Sequence, residues 1–547
     1  MSSISQTKTD NQQFTVLHVA SENDALVGGK VGGIGDVIRD VPKFSVEHGL
    51  QADVITPGYG IHGQNQKSVL IRQISVEFRG QIEQVELHRI DFTESAADIT
   101  SPAVNHWFLE HPLFYQHGRG RIYVDDGEHR PFASDANKFA LFCAAICELL
   151  SGFWLRKFRV LHLHDWHSGL VPTLAAFHKK YAPVANIHRV YSIHNLALQG
   201  IRPIDGDESS LKAWFPGLTV DETLVCDPRY PNCFNPTRAA INLVDAVHVV
   251  SPTYAKEVIQ PSMHQQGFIG GEGLHLDLQR AQQQGRLFGI LNGCDYDYAP
   301  ILNPKPEHSV PARHFDHQAF PAIQQVLEQW QASHHFVHSA HLVALQRLQE
   351  WQESPFHGPL VTSIGRLTSQ KVTLLLETVN GLTVLDHLLA VLAATHGRMI
   401  ILGSGDPDLE DQITQAMQRH ENLLFINGYH HQLPKYLFEG GDLFLMPSSF
   451  EPCGISQMLA LRSGQPCLVH DIGGLHDTVV ENKSGYLFRG ADINKQANAL
   501  IDCFQNALTT YSEKPQQWQK MRQLSSQQRF LWQDSIEQYC QHLYQGS

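Results

Sequence analysis

The chain lacks any apolar run long enough to cross a bilayer. A membrane helix needs about 18 or more consecutive apolar residues, and the 547-residue sequence offers no such stretch. Clustered positive charge is also missing: 41 Lys and Arg stand against 55 Asp and Glu, a formal net charge of −14. Nucleic acid is therefore excluded as a main partner, because neutralising its phosphates takes grouped cations. A small anionic ligand is not excluded, since a few local cations decide that. No CxxC pair occurs, and the nine cysteines are scattered and odd in number. That pattern predicts reduced thiols in a cytoplasmic protein rather than a disulfide scaffold. The opening, MSSISQTKTDNQQ, has no apolar centre of signal-peptide type, and residues 1–13 are expected to form a loose tail.

What the chain does have is length and a repeated event. The length exceeds what one core usually serves, so two domains are expected. Apolar residues make up 42% and charged residues 18%, ordinary values for a globular protein. Nine times, a short apolar run rich in β-branched residues ends in a small polar or glycine cluster. The runs are 14–22, 159–166, 189–195, 246–252, 287–293, 360–366, 398–406, 443–449 and 466–474. Continuous apolar runs of this length suit strands buried on both faces of a parallel sheet. Helix-like stretches such as 135–151 and 499–510 lie between them. The alternation predicts an α/β doubly wound architecture, with ligands bound beyond the carboxyl ends of the strands. The pattern weakens between 297 and 357, a Pro-, His- and Gln-rich stretch, which puts a domain boundary near 295. Within it, His334, His338 and His341 could share a helical face. Lacking a carboxylate or Cys to complete a metal set, they read as a solvated face.

Four motifs carry chemistry. GGKVGGIGDV (28–37) follows the first strand; glycines such as Gly33 allow close backbone approach, a helix starting near Asp36 would present N–H groups, and Lys30 adds a full charge. It is neither GxGxxG nor GxxxxGK[ST]. HLHDWH (162–167, from His162) places His162 and His164 on one face of a strand. A binuclear metal hydrolase would want the Asp one position later, so a polar, substrate-facing strand end is the better reading. GRLTSQK (365–371) sets Arg366 and Lys371 at a strand's carboxyl end, where a fork and a point charge suit a diphosphate. SSFEPCGISQ (448–457) sets Glu451 just ahead of a helix expected to begin at Gly454 and stop at Gly464. A carboxylate there repels phosphate but accepts hydrogen bonds from sugar hydroxyls; as a structural alternative it caps the helix.

Assembled, these stretches resemble the bacterial glycogen synthases and plant starch synthases. That family adds glucose from a nucleotide sugar to the non-reducing end of an α-1,4-glucan. KVGGIGDV, HDWHSGL, IHNLALQG, VSPTYAKE, GILNGCD, GRLTSQK, LGSGDP, FEPCGISQ and GGLHDTV occur in family order over residues 14 to 500. The resemblance implies a GT-B fold, two Rossmann-like doubly wound domains facing an interdomain cleft. The expected divisions are 14–295, 296–520, and a C-terminal helix at 521–547 returning to the first domain. It implies that Lys30, Arg366 and Lys371 surround the donor phosphates, and that Asp36, His164, Asn195, Asn292 and Glu451 surround the glucose and acceptor. Catalysis would fall to Glu451, His164, Lys371 and Arg366. Backbone at Cys453, Gly454, Gly473 and Gly474 would face phosphate and sugar, and Tyr429 the nucleobase. It implies no metal and no cofactor, a nucleotide-sugar donor (ADP-glucose, with UDP-glucose as the alternative) and a glycogen or α-glucan acceptor. Three departures stand out. Val372 and Leu374 replace a usual Gly and Asp, SDANK (134–138) replaces D-N-x-x-R, and NGCDYDYAP lacks a Trp after its first Asp. They leave a catalytically weakened glucan-binding relative as an alternative, beside the metal-dependent hydrolase.

Overall fold

In the computed structural model, residues 15–91, 104–296, 313–333, 338–354 and 357–545 are described. The expected N-terminal tail, His334 and residues 297–312 of the junction lie outside them. All nine apolar runs form strands, and each ends before its polar cluster. Among the described residues, no helix is long and apolar enough to cross a membrane. The chain separates into two compact units.

The first unit takes in the chain up to Val250, Gly271–Gly293, and the chain from Trp532. Its sheet has nine strands: β1 (Thr15–Val19), β2 (Gln51–Pro57), β3 (Ser68–Phe78), β4 (Gln81–Ile90), β5 (Asn105–Glu110), β6 (Val160–His164), β7 (His188–Ile193), β8 (Ala246–Val249) and β9 (Leu287–Gly289). The order is β9-β8-β7-β6-β1-β2-β5-β4-β3. It is parallel except for β4, which runs against β3 and β5. Strand order reverses between β1 and β6, which pair directly, so a topological switch point opens beyond Val19 and His164. Helix α1 (Gly33–Glu47) follows β1 and α2 (Ala133–Ser151) precedes β6. The C-terminal helix Trp532–Gln538 closes this unit's core: Trp532, Ile536, Tyr539, Leu543 and Tyr544 pack with Val16, Val37, Val160 and Val190.

The second unit takes in Ser251–Gly270 and Cys294–Leu531. Its main sheet has six strands, β10 (Leu360–Ile364), β11 (Arg398–Gly403), β12 (Leu423–Asn427), β13 (Leu443–Met446), β14 (Cys467–His470) and β15 (Gly485–Phe488), in the order β12-β11-β10-β13-β14-β15. All are parallel. This is the 3-2-1-4-5-6 order of a dinucleotide fold, with its switch point between β10 and β13. The helices that matter here are α3 (Pro252–Glu257), α4 (Ser369–Leu376), α5 (Ser456–Arg462), α6 (Gly473–Thr478) and α7 (Ile493–Glu513). Helix α5 begins at Ser456, two residues later than expected, because Gly454 has φ +79, outside helical space. Residues 251–270 precede the expected boundary in sequence yet pack in the second unit.

Candidate active site

At the second unit's switch point, β10 ends in Gly365–Lys371 and β13 ends in Ser448–Gly454. The two loops are tied: Ser449 N donates to Gln370 O at 2.8 Å. Lys371 Nζ pairs with Glu451 Oε2, and Ser448 Oγ donates to the same oxygen at 3.2 Å. Glu451 is 6% exposed. Its partly buried acid is thus held by a cation and a hydroxyl, an arrangement a buried charge needs. Arg366 is exposed, and its guanidinium has no hydrogen-bond partner among the described residues, though its carbonyl accepts from Thr368 N at 3.2 Å. Tyr429, beyond β12, is 72% exposed.

Glycines shape the turn around Glu451. Gly474 N donates to Glu451 O at 3.0 Å. A Cβ on Gly473 would stand 2.1 Å from Glu451 O, and one on Gly474 2.2 Å from Cys453 O. Both N–H groups are already used within the unit: Gly473 N donates to Glu257 Oε1 at 2.9 Å. These two glycines therefore act by close approach of α6 to the Glu451 turn. Cys453 is buried in that turn, and a Cβ on Gly454 would strike Gln457 Oε1 at 2.5 Å.

In the first unit, the glycine loop after β1 differs from a free anion cradle. Glu22 Oε2 accepts from Val31 N (2.7 Å) and Gly32 N (2.6 Å), while Tyr123 OH donates to Glu22 Oε1 at 2.6 Å. The protein's own carboxylate thus occupies the backbone donors at the entrance to α1. Lys30 Nζ pairs with Asp36 Oδ1 at 2.5 Å and reaches Asp24 Oδ2 at 3.5 Å; Arg39 Nη1 bonds both acids. Gly33 has open space where a Cβ would stand, so crowding does not require glycine there.

Across β1, β6, β7 and β8, register brings polar side chains into one row: His18 faces His162, His164 faces Ser192, and Ser192 faces His248. His248 Nε2 donates to Ile290 O (3.1 Å), which fixes the direction of the rest. Ser192 Oγ donates to His248 Nδ1 (2.7 Å), His162 Nε2 donates to Ser192 Oγ (2.6 Å), and Tyr544 OH donates to His162 Nδ1 (2.9 Å). A second chain runs from His18 Nδ1 to His164 Nε2 (3.2 Å) and from His164 Nδ1 to His194 Nε2 (3.0 Å). Burial pulls these rings down, His18 to about 3 and His248 to about 4, so they are neutral. Nitrogen atoms of His18, His162 and His164 come within 4.8 Å of one another. Both of His162's nitrogens are spent on hydrogen bonds, however, and no carboxylate joins the set, so the row fits a hydrogen-bonded relay better than a cation site. His164 is buried as a whole residue, and its carbonyl accepts from Ser168 Oγ at 3.1 Å.

Asp165 follows with φ 51, strained for a non-glycine residue. Its Oδ1 accepts from His194 N at 2.7 Å, and burial pushes its pKa up to about 7. That clamp orients the loop of Asn195, whose own Oδ1 accepts from Ala197 N. Asn292, beyond β9, is buried, and its Oδ1 has no hydrogen-bond partner among the described residues.

The departures have local reasons. Val372 and Leu374 sit on the buried side of α4, in the second unit's apolar core. In SDANK, Asp135 and Lys138 form a buried pair at 2.9 Å, and Ser134 N and Oγ both bond Asp126, which supplies a carboxylate at the start of α2.

Comparison with known proteins places the chain in a class. Residues 15–280 match the starch synthase catalytic domain family, and 358–506 match the glycosyl transferases group 1 family. With the two doubly wound units, they define a GT-B glycosyltransferase. A glycogen synthase of Streptococcus gordonii is 31% identical over 97% of this chain and 99% of its own. One from Yersinia pestis is 30% identical over 96% and 98%. The catalytic domain of starch synthase IV from Arabidopsis thaliana, bound to ADP and acarbose, shares the fold with a TM-score of 0.72 at 23% identity, over 97% of this chain and 99% of that one. The chain belongs to the glycogen synthase family.

Several residues of the site escaped sequence reasoning. Glu22 and Tyr123 lie 101 positions apart, and no spacing links them. His194 adjoins Asn195 and Ser448 opens the SSFEPCGISQ motif, while His18 adjoins no candidate residue. Only the recurrence of polar side chains at strand ends pointed toward them.

Proposed function

We propose that the protein transfers glucose from ADP-glucose to the non-reducing end of an α-1,4-glucan, with retention of configuration. The observation that carries this reading is the Lys371–Glu451–Ser448 cluster at the second unit's switch point, where a nucleotide-sugar would be held. The names of its relatives, glycogen synthases, support the polymer; ADP in the starch synthase IV structure supports the base.

In this reading, Glu451 accepts hydrogen bonds from donor-glucose hydroxyls. Lys371 and Arg366 neutralise the diphosphate as its bond to C1 breaks. Such preorganised charge stabilisation is usually the largest catalytic contribution. The acceptor hydroxyl oxygen forms the new bond to C1, and its proton passes to the departing phosphate oxygen, so atoms and charge balance without a metal. His164 contributes through its backbone. Asn195, Asn292 and Asp36 contact sugar, the turns at Cys453, Gly454, Gly473 and Gly474 shape the donor pocket, and Tyr429 meets the nucleobase. We place the protein in the cytoplasm, in keeping with nine cysteines free of disulfides.

The test offers labelled ADP-glucose and UDP-glucose, each with glycogen, to the purified protein. Incorporation from ADP-glucose well above that from UDP-glucose is expected. Incorporation from neither, with glycogen still bound, would show a binding protein instead.

A further inference from the structure

Residues 251–257, SPTYAKE, end well before Cys294, where the second unit's main segment begins, yet they close a ring around the Glu451 turn. Ser251 Oγ donates to Pro452 O at 2.6 Å. Tyr254, fully buried, sets its ring edge-on to Phe450 with centroids 5.6 Å apart. The residues immediately before and after Glu451 are thus both held by α3. On the other side, Gly474 N donates to Glu451 O. The ring closes where α3 meets α6: Thr253 N and Oγ1 each donate to Asp477 at 2.8 Å, and Glu257 Oε1 accepts from Gly473 N.

From this geometry we infer that α3 is a strap that aligns Glu451, and that Glu257 is its principal positioning residue. The inference rests on the reading of Glu451 as the group that grips the donor sugar. Three bodies in mutual contact (strap, turn and α6) leave the carboxylate little freedom, which is what a group must have to act on a reacting sugar. Glu257 is the member whose presence packing alone does not explain. Among the described residues it has no ion-pair partner, and it faces Asp477 and His476 on α6 and Asp471 ahead of it. Burial first, then those acids, push its pKa up to about 7 against the help of Gly473 N–H and His476. An apolar residue would fill the space at lower cost. Only an acceptor there satisfies Gly473 N, on a glycine packed so close to the turn that a Cβ would stand 2.1 Å from Glu451 O. Glu257 touches neither donor nor acceptor in this scheme and acts through the backbone of Gly473.

The experiment compares Glu257→Ala, Glu257→Gln and Glu451→Gln in the full-length protein. Glu257→Ala should lower kcat about 10- to 100-fold, the scale of a small misplacement at a reacting centre. Its Kd for ADP and its melting temperature should stay near those of the parent. Glu257→Gln keeps an oxygen toward Gly473 N and should restore most of kcat. An unchanged kcat in Glu257→Ala overturns the strap, and so does a loss of kcat that Glu257→Gln does not recover. If Glu257→Ala fails to fold, Ser251→Ala and Thr253→Val each cut one tie and should still lower kcat; normal turnover in both overturns it too. Full turnover in Glu451→Gln removes the sugar-gripping reading itself. Impaired Glu451→Gln with normal Glu257→Ala removes the strap alone.

Discussion

Lys371 and Glu451 depend on each other. The carboxylate is enclosed and needs its cation, and in the proposed reaction that same cation also serves the leaving diphosphate. Removing Lys371 therefore costs more than one charge, because it also leaves Glu451 without its ionic partner. Lys371→Ala is expected to lower synthase activity by roughly 10²–10³. Arg366 carries no such structural duty, so Arg366→Ala should lose activity with melting temperature unchanged. Steady-state incorporation assays beside thermal melts of both variants check this; near-parent activity in either would remove that residue from the mechanism. The two substitutions that raised doubt about activity, Val372 and Leu374, point into the core of their unit. They give no ground in the structure for a weakened enzyme.

At the level of elements, the turn from β14 into α6 is the tightest approach in the site. Gly474→Ala would push a Cβ into Cys453 O at 2.2 Å, backbone against backbone, where no side chain can yield. A loss of stability of about 1–3 kcal/mol is expected, in the range of strained core substitutions. It should come with a fall in kcat, read by denaturant melts and turnover on one preparation. Much of this layer was legible beforehand. Nine apolar runs became nine strands because strands buried on both faces need unbroken apolar sequence, and that survives in composition. Strands β3 and β4 did not announce themselves, since SVLIRQISVEF and QIEQVELHRI mix polar with apolar residues and expose much of their surface. The motif loops were legible as chemistry, but their partners were not. Glu22 filling the glycine loop, and α3 bracing the Glu451 turn, are contacts between distant positions that local pattern cannot encode. Only closure of the sheet brings His18 beside His162 and His164.

At the scale of the whole molecule, acid should be the weak side. Burial holds His18, His106 and His194 near 3 and His62, His248 and His470 near 4, far below the ordinary 6.5. A base depressed in the folded state costs nothing above its unfolded pKa. It loses stability as pH falls from about 6.5 toward its folded value, because the unfolded chain takes the protons. Asp165, Glu110 and Glu257, raised to about 7 by shifts of similar size, oppose this but are three against six: their contribution is full in acid and lost as pH rises through 7. The histidines prevail, so melting temperature should climb steeply between pH 5 and about 6.5, then level. A flat profile across that window would mean the rings are charged and paired after all. The path of the chain between the units carries a different consequence. Trp532 and the residues after it belong to the core that Val16 begins. During synthesis, that core stays open while the ribosome makes everything between Gly293 and Trp532, a delay of roughly 10–50 s at ordinary elongation rates. The half of the molecule born first is the half finished last. Nascent chains arrested before Trp532 should be digested by protease in the region of β1 and α1, and chains released complete should resist.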